Sequence, residues 1–490
     1  VVDAVSRRIY VPREYQPMGT NHIMDNKRCG LWAGMGLGKG VMVLTALANL
    51  DLTEDVFPAL AIGPLRVARD VWPTECGKWE HLKHLHCVPI IGTREERLLA
   101  VTRKAPIFSI NYENLAWLLE YWGKERWPYK TIIADESTKL KGYRGSFRTS
   151  STGKVSLHKH GGARARALGT VTHTPQVTRF IELTGTPAPN GLKDLWGQIW
   201  YLDAGERLGR TFGGFATRWF NSRRNGAQVT YTPTAAAADG EIQDRVKDIC
   251  LTIDAKDYFD LKEPVVNNIY VDLPPDARKL YRSMEKDLFI EIAEGTVEAF
   301  SAAAKSQKCL QLANGAVYLD PLVESDSDPK AKKWGVVHDE KMEALDSVIE
   351  EAAGATMIIV YTFRSDLARI LKKYPGARDL SKKANEKAFK AGDIQLGVAH
   401  PDSLGHGVDG MQFVCNRIVH FGHGWPLDTY QQINERIGPV RQMQAGLVRP
   451  VYHTHILARG TLDEEVMVRR EGKRSVQEIL LDAAKRRRDK

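Results

Sequence analysis

A chain of 490 residues with 69 Lys and Arg against 60 Asp and Glu, and so a formal charge of +9, is longer than one hydrophobic core usually serves, although its composition is that of an ordinary globular protein. No stretch approaches the roughly eighteen uninterrupted apolar residues of a membrane span, and the first residues lack the charged-then-apolar order of a signal peptide, so a cytoplasmic protein without a membrane partner is expected. Six cysteines (Cys29, Cys76, Cys87, Cys250, Cys309, Cys415) show no paired spacing, which fits free thiols in a reducing compartment.

In chain order, the first lobe is expected over 1–203. Its first informative text is Ala33-Gly34-Met35-Gly36-Leu37-Gly38-Lys39. Glycines at 34, 36 and 38 leave backbone N–H groups free to wrap phosphate oxygens, and Lys39 adds a point charge at the β/γ end. The apolar run from Val41 to Leu44 opens a helix whose N-terminus favours anions. Such a loop usually continues with Ser or Thr, whose hydroxyl binds Mg²⁺; this chain has Gly40, and Thr45 lies more than a turn further on. Apolar runs at 59–62, 107–110, 131–134 and 180–183 alternate with helical patterns and imply a parallel sheet covered on both faces. His81, His84 and His86, with Cys76 and Cys87, lack zinc-type pairing and read as scattered residues.

At the end of the 131–134 run stand Asp135 and Glu136. An acidic pair there can hold Mg²⁺ through Asp135 while Glu136 polarises the attacking water. The segment from Ser137 to Ile181 then carries nine Lys or Arg and no acid. Its text predicts a long basic surface loop inserted at about 145–178 and suited to a polyphosphate backbone.

Between 204 and 335 the pattern changes to aromatic-rich helical text (Phe212, Phe215, Trp219, Phe220), a strand-like run at 265–271, Pro274-Pro275, and a helix through Tyr281, Met284, Leu288 and Ile292, which predicts helical protrusions and a linker. Strand-like runs resume at 357–361, 395–399, 417–421 and 451–454, defining a second α/β lobe over 336–460. A helix opened by a Thr461/Glu464 capping box and a basic tail fill 461–490. The fold class expected is α/β, with two parallel-sheet lobes, helical protrusions and a C-terminal helix.

These motifs, in this order, resemble the SNF2-like branch of superfamily 2 helicases and translocases over nearly the whole chain. Tyr15-Gln16 is similar to the adenine-reading Gln motif, the 33–39 loop to motif I, Gly63-Pro64-Leu65 with Trp72 and Trp79 to motif Ia, and Ser109-Ile110-Asn111-Tyr112-Glu113 to motif Ib. Asp135-Glu136-Ser137-Thr138-Lys139-Leu140-Lys141 resembles motif II, Leu183-Thr184-Gly185-Thr186-Pro187-Ala188-Pro189-Asn190 motif III, and Val360-Tyr361-Thr362-Phe363 motif IV. The 403–412 segment resembles motif V and 432–442 motif VI. Asp260-Leu261-Lys262-Glu263-Pro264, together with Arg436-Ile437-Gly438-Pro439-Val440-Arg441-Gln442, looks most like the compact SNF2-type proteins of bacteriophages and prophages.

The resemblance implies two RecA-like lobes that bind ATP and Mg²⁺ in the cleft between them and double-stranded DNA across their surfaces. It implies nucleotide contacts from Gln16, Gly34, Gly36, Leu37, Gly38, Lys39, Gly40 and Asp409, a metal ligand in Asp135, and catalytic roles for Lys39, Asp135, Glu136, Arg436 and Arg441. DNA contacts are expected from Lys139, Lys141, Arg144 and Arg148, and from motifs Ia, Ib, IV and V. Two departures stand out: Gly40, and Pro439 where the family's second motif VI arginine usually stands, so that Arg436 and Arg441 are both candidates for the arginine finger. The activity implied is ATP-dependent translocation on, or remodelling of, duplex DNA by a monomer, with phage or host replication and recombination proteins as further partners. The alternatives are a strand-separating DNA or RNA helicase and a nucleotide-gated DNA clamp that hydrolyses weakly because of Gly40.

Overall fold

The continuous apolar runs of the first lobe become strands buried on both faces, as the strands of a covered parallel sheet must be. The computed structural model describes residues 7–472 apart from 154, 190, 226–227, 235, 260, 294–298, 319–333 and 405–407. The chain divides into two compact units, one formed by 1–223 with 230–260 and the other by 224–229 with 261–490.

In chain order the strands up to residue 260 are β1 (Arg28–Ala33), β2 (Ala59–Gly63), β3 (Cys87–Pro89), β4 (Ile107–Asn111), β5 (Thr131–Asp135), the hairpin strands β6 (Arg144–Thr149) and β7 (Val155–His160), β8 (Arg179–Thr184), β9 (Phe220–Asn225) and β10 (Gln228–Pro233), which pair with each other, and β11 (Cys250–Ile253). Seven of them form one parallel sheet in the order β11-β1-β8-β5-β2-β4-β3. This order decides the site. It sets β8 between β1 and β5, with Trp32 opposite Thr184 and Asp135 opposite Leu183. The loops that follow Ala33, Asp135 and Thr184, far apart in the sequence, therefore leave the same edge of the sheet, the carboxyl edge at which open α/β sheets bind ligands.

In the second unit β12 (Val265–Val271), β15 (Met357–Val360), β16 (Arg378–Asp379), β17 (Leu396–Ala399), β18 (Arg417–His420) and β19 (Tyr452–Ala458) form a parallel sheet in the order β12-β19-β18-β15-β17-β16, and β13 (Ala316–Tyr318) pairs antiparallel with β14 (Trp334–Val336). Helices Pro275–Ala293 and Ala299–Ala313 belong to this unit. The last described helix, Leu462–Gly472, starts where the text places it, but the Thr461 hydroxyl accepts from the Asp463 N–H and donates to Ala458 O instead of closing a box with Glu464. The basic tail lies outside the described residues.

Two expectations about the connecting text need correction. The stretch 204–335 is not only protrusion, because β11 extends the first sheet beside β1 and β12 extends the second beside β19. Four residues are too few for β11 to show a period. The basic insertion is a β6/β7 hairpin followed by helix Ala163–Val171, not a loop. Its Arg-Gly-Ser-Phe-Arg-Thr text alternates without an apolar stripe, so nothing local marks it as a strand. All six cysteines are free thiols. Among the described residues no helix is long and apolar enough to cross a membrane.

Candidate nucleotide site

After Ala33 the chain must turn tightly into helix α2 (Lys39–Leu50), and Gly36 and Gly38 do so with φ of 81° and 82°, open to glycine at no steric cost. A Cβ on Gly38 would stand 2.6 Å from Gln16 Nε2. That contact joins the loop to helix α1 (Gln16–Asp25), which begins at Gln16. The Gln16 amide is held in one orientation: its Oε1 accepts from the Arg13 N–H (2.9 Å) and the Tyr10 O–H (3.1 Å), and its Nε2 donates to Leu37 O (3.3 Å). Lys39 Nζ donates to Ala33 O (2.7 Å) and Gly34 O (3.3 Å). The loop's own carbonyls thus hold the ammonium, in a glycine cradle whose shape and donors fit a polyphosphate.

Across the sheet edge, burial pushes the Asp135 carboxyl up, while the nearby Lys39 ammonium and a hydrogen bond from the Trp72 indole pull it down. Glu136 has φ 58° and ψ 54°, a left-handed conformation that costs a residue with a Cβ about 1–2 kcal/mol. Such strain persists where neighbours over-determine it, and here they do. Tyr112 Oη donates to Asp135 O (2.9 Å), and Ser137 Oγ donates to Gln198 Oε1 (2.9 Å). Gln198 Nε2 in turn donates to Pro187 O (2.7 Å) and Asp194 O (3.1 Å), tying the acidic pair to the 184–189 segment. Gly185 closes the circle, since a Cβ there would lie 3.4 Å from Ala33 O.

Sequence reading missed Gln198. Its only signal is a lone amide in the otherwise apolar helix Leu195–Asp203. Tyr112 and Trp72 were expected on the DNA side, but both are buried against Asp135.

The structure also bears on Gly40. A Cβ at this position would lie 3.3 Å from Glu75 Cγ, and Glu75 is itself held by the Trp79 N–H at 2.8 Å. Thr45 is turned to His81, Oγ1 to Nε2 2.9 Å, and supplies no substitute hydroxyl. Gly40→Ser should therefore lower the Mg²⁺ concentration needed for half-maximal ATP turnover, because a fixed ligand replaces a mobile water. Gly40→Thr should gain less, as its methyl meets Glu75. Phosphate release measured across a Mg²⁺ titration checks this, and superimposable curves for parent and Gly40→Ser would refute it.

Of the basic residues, Lys139 is exposed and Lys141 Nζ lies 3.7 Å from Asp194. Arg144, expected on the DNA side, is engaged within its own unit. Its guanidinium sits 3.7 Å over the Phe212 ring and donates to Lys141 O and Tyr143 O. Arg179 is buried on Glu54 and the Ile23 and Met24 carbonyls. The Arg148 side chain and Lys154 lie outside the described residues.

In the second unit, Arg436 is buried and donates to Val408 O (2.8 Å), and Arg441 pairs with Asp409. Asp409, expected at the nucleotide, also accepts from Gly410 N and Gln412 Nε2, so its carboxylate is engaged in shaping its own loop. Burial pushes the Glu435 carboxyl up against the pull of Arg441 and Arg436. Residues 405–407 of this motif lie outside the described residues.

No protein-family model matches the chain. Protein p41 of Acyrthosiphon pisum secondary endosymbiont phage 1 is 44% identical to it over 486 residues, covering 98% of this chain and 100% of p41. The ATP-dependent helicase BRM of Arabidopsis thaliana is 28% identical over 194 residues, 38% of this chain and 8% of BRM. The chain belongs to one family with phage protein p41, and part of it is similar to the ATP-dependent helicase BRM. Each of its two units is built on one parallel sheet. A solved Sulfolobus solfataricus SWI2/SNF2 ATPase core in complex with dsDNA is 20% identical, with a TM-score of 0.42, covering 94% of this chain and 91% of that one. The chain matches p41 end to end but only a small fraction of the length of the long eukaryotic helicase.

Proposed function

We propose that this chain is an SNF2-like, ATP-driven motor on double-stranded DNA. The observation that carries the reading is the convergence of the 33–39 loop, Asp135-Glu136 and the 184–189 segment on one edge of one sheet, wired together through Tyr112 and Gln198. In this reading the loop N–H groups and Lys39 bind the phosphates, and Gln16 meets the adenine. Asp135 would hold Mg²⁺, which supplies charge neutralisation at the β- and γ-phosphates when bound. Glu136 orients the attacking water and accepts its proton. Arg441 is the better finger candidate: Arg436 is buried on a backbone carbonyl, whereas Arg441 is held by the exposed Asp409 carboxylate, an anionic partner that a phosphate can replace.

A motor that moves along DNA needs phosphate contacts rather than base reading, since base-specific contacts would stall it at each new sequence. In this reading, which the kinship with a phage protein supports, the chain works in the host cytoplasm as a monomer, beside phage or host replication and recombination proteins. Gly40 favours the second reading, a nucleotide-gated clamp with slow hydrolysis.

Phosphate release measured with duplex DNA, single-stranded DNA and RNA in parallel separates these readings. The motor requires the largest stimulation by duplex DNA, a helicase requires strand separation on forked substrates, and turnover that no nucleic acid stimulates would overturn the proposal. Neutralising Lys139, Lys159, Arg164 and Arg166 together is expected to weaken duplex binding about equally for all sequences. It should also flatten the slope of log affinity against log salt by about 3 to 4. Equal slopes for variant and parent would remove this region from the DNA track.

A further inference from the structure

Trp72 stands in text that resembles a DNA-contacting motif, yet it is only 2% exposed and its indole Nε1–H donates to Asp135 Oδ2 at 3.2 Å. We propose that Trp72 is a positioning residue of the metal site, fixing the Asp135 carboxylate so that its other oxygen faces the cation. The inference rests on reading the 33–39 loop and Asp135 as a nucleotide site.

The local structure is built for this contact. A π-helical turn, Val67–Val71, runs directly into helix α3 (Trp72–Lys78), with Pro73 in its first turn. Such turns recur at functional sites. Indole nitrogen is a donor only, so it occupies one carboxylate oxygen in a fixed direction and cannot compete for the metal.

One helical turn further along the same face, Glu75 packs on Gly40, with its Cγ 3.3 Å from where a Cβ would stand. The Trp79 N–H bond to Glu75 pins the far end of the helix. Helix α3 thus touches both phosphate motifs. Because Gly40 offers no hydroxyl, Asp135 is the one protein oxygen ligand this reading leaves to the metal, and the orientation of that single carboxylate governs affinity. Partners that orient a ligand commonly change metal affinity by about 10- to 100-fold.

Packing alone would be satisfied by any large ring, so the test separates the N–H from the ring. Trp72→Phe and replacement of Trp72 by 3-benzothienylalanine, which keeps the bicycle but puts sulfur in place of the N–H, are compared with the parent. Binding of a fluorescent ATP analogue is measured first in EDTA and then through a Mg²⁺ titration. Both variants should match the parent in EDTA, and the Mg²⁺ concentration at half-effect should rise about tenfold. Turnover lost at low Mg²⁺ should return at high Mg²⁺.

An unchanged Mg²⁺ midpoint in the benzothienyl variant would overturn the proposal. So would an equal loss of affinity in EDTA and in Mg²⁺, which would assign Trp72 to packing. A parent that binds no nucleotide in either buffer would overturn the nucleotide reading itself, and is told apart because it fails before any substitution is made.

Discussion

Lys39→Ala is expected to abolish ATP binding, and Glu136→Gln to leave binding intact while turnover falls about a hundredfold or more. The two changes separate because they act on different steps. Lys39 is the cation of the loop, held on the Ala33 and Gly34 carbonyls and ready to exchange them for phosphate oxygens. Glu136 is placed by a strained backbone whose neighbours, Tyr112 and Gln198, fix Asp135 and Ser137 on either side of it. Glutamine is nearly the same shape as glutamate and carries the same backbone penalty at φ 58°, so the substitution removes the water-activating carboxylate without relaxing the turn. Equilibrium binding of a fluorescent ATP analogue and single-turnover phosphate release measure the two effects. Parent-like hydrolysis by Glu136→Gln would show that another group activates the water.

Mild acid is expected to unfold the second unit well before acid denaturation becomes general. His420, His423, His453 and His455, from β18, β19 and the segment after β18, are all buried. The rings of His420 and His455 stack at 4.9 Å, and Asn434, Tyr430 and Asn268 hydrogen-bond them. His423 Nε2 bonds Ile456 O and its Nδ1 accepts from Arg470, whose guanidinium lies over Tyr430. Burial above all, then neighbouring cations and imidazoles, holds His420 and His423 well below the usual range; burial takes His453 to about 4 and His455 to about 3.

The sign follows from proton counts. In the unfolded chain each imidazole binds a proton as pH falls through about 6.5, while in the folded unit it stays neutral until the pH reaches the lower folded value. The unfolded state therefore binds more protons in that window, and stability is lost as pH falls below about 6.5. By pH 5 His453 and His455 account for about 2 kcal/mol each, a large share of the about 5–15 kcal/mol of a typical domain, and His420 and His423 act in the same direction.

Hydrogen exchange of peptides from 417–458 at pH 7.5 and 5.0, corrected for the intrinsic pH effect, reads this out. His453→Met, which removes a buried Nε2 without a hydrogen-bond partner, should blunt the acid sensitivity. Equal protection at both pH values would sink the idea.

The two parallel sheets were legible in the sequence because strands buried on both faces must be written as continuous apolar text, and 59–62, 107–110, 131–134 and 180–183 in the first unit are such text. The glycine spacing at 34, 36 and 38 and the acid pair at 135–136 were legible for a related reason, since a tight turn into a helix and a charge at a strand end are local requirements. Strand order is not local. Only the tertiary structure placed β8 between β1 and β5, added β11 to the first sheet, and so decided which loops share an edge.

The fate of individual side chains was equally beyond the sequence. Arg144 and Lys139 are both basic residues of one acid-free segment, yet Arg144 lies on the Phe212 ring while Lys139 reaches solvent. Trp72 sits in text that resembles a DNA-contacting motif, but its N–H meets Asp135, 63 residues away. Four histidines on separate segments became one buried cluster only through the β18/β19 register. Periodicity and spacing report on neighbours within a few residues. Whether a charge is free, a donor occupied or an imidazole neutral depends on partners that the chain meets only after it has folded.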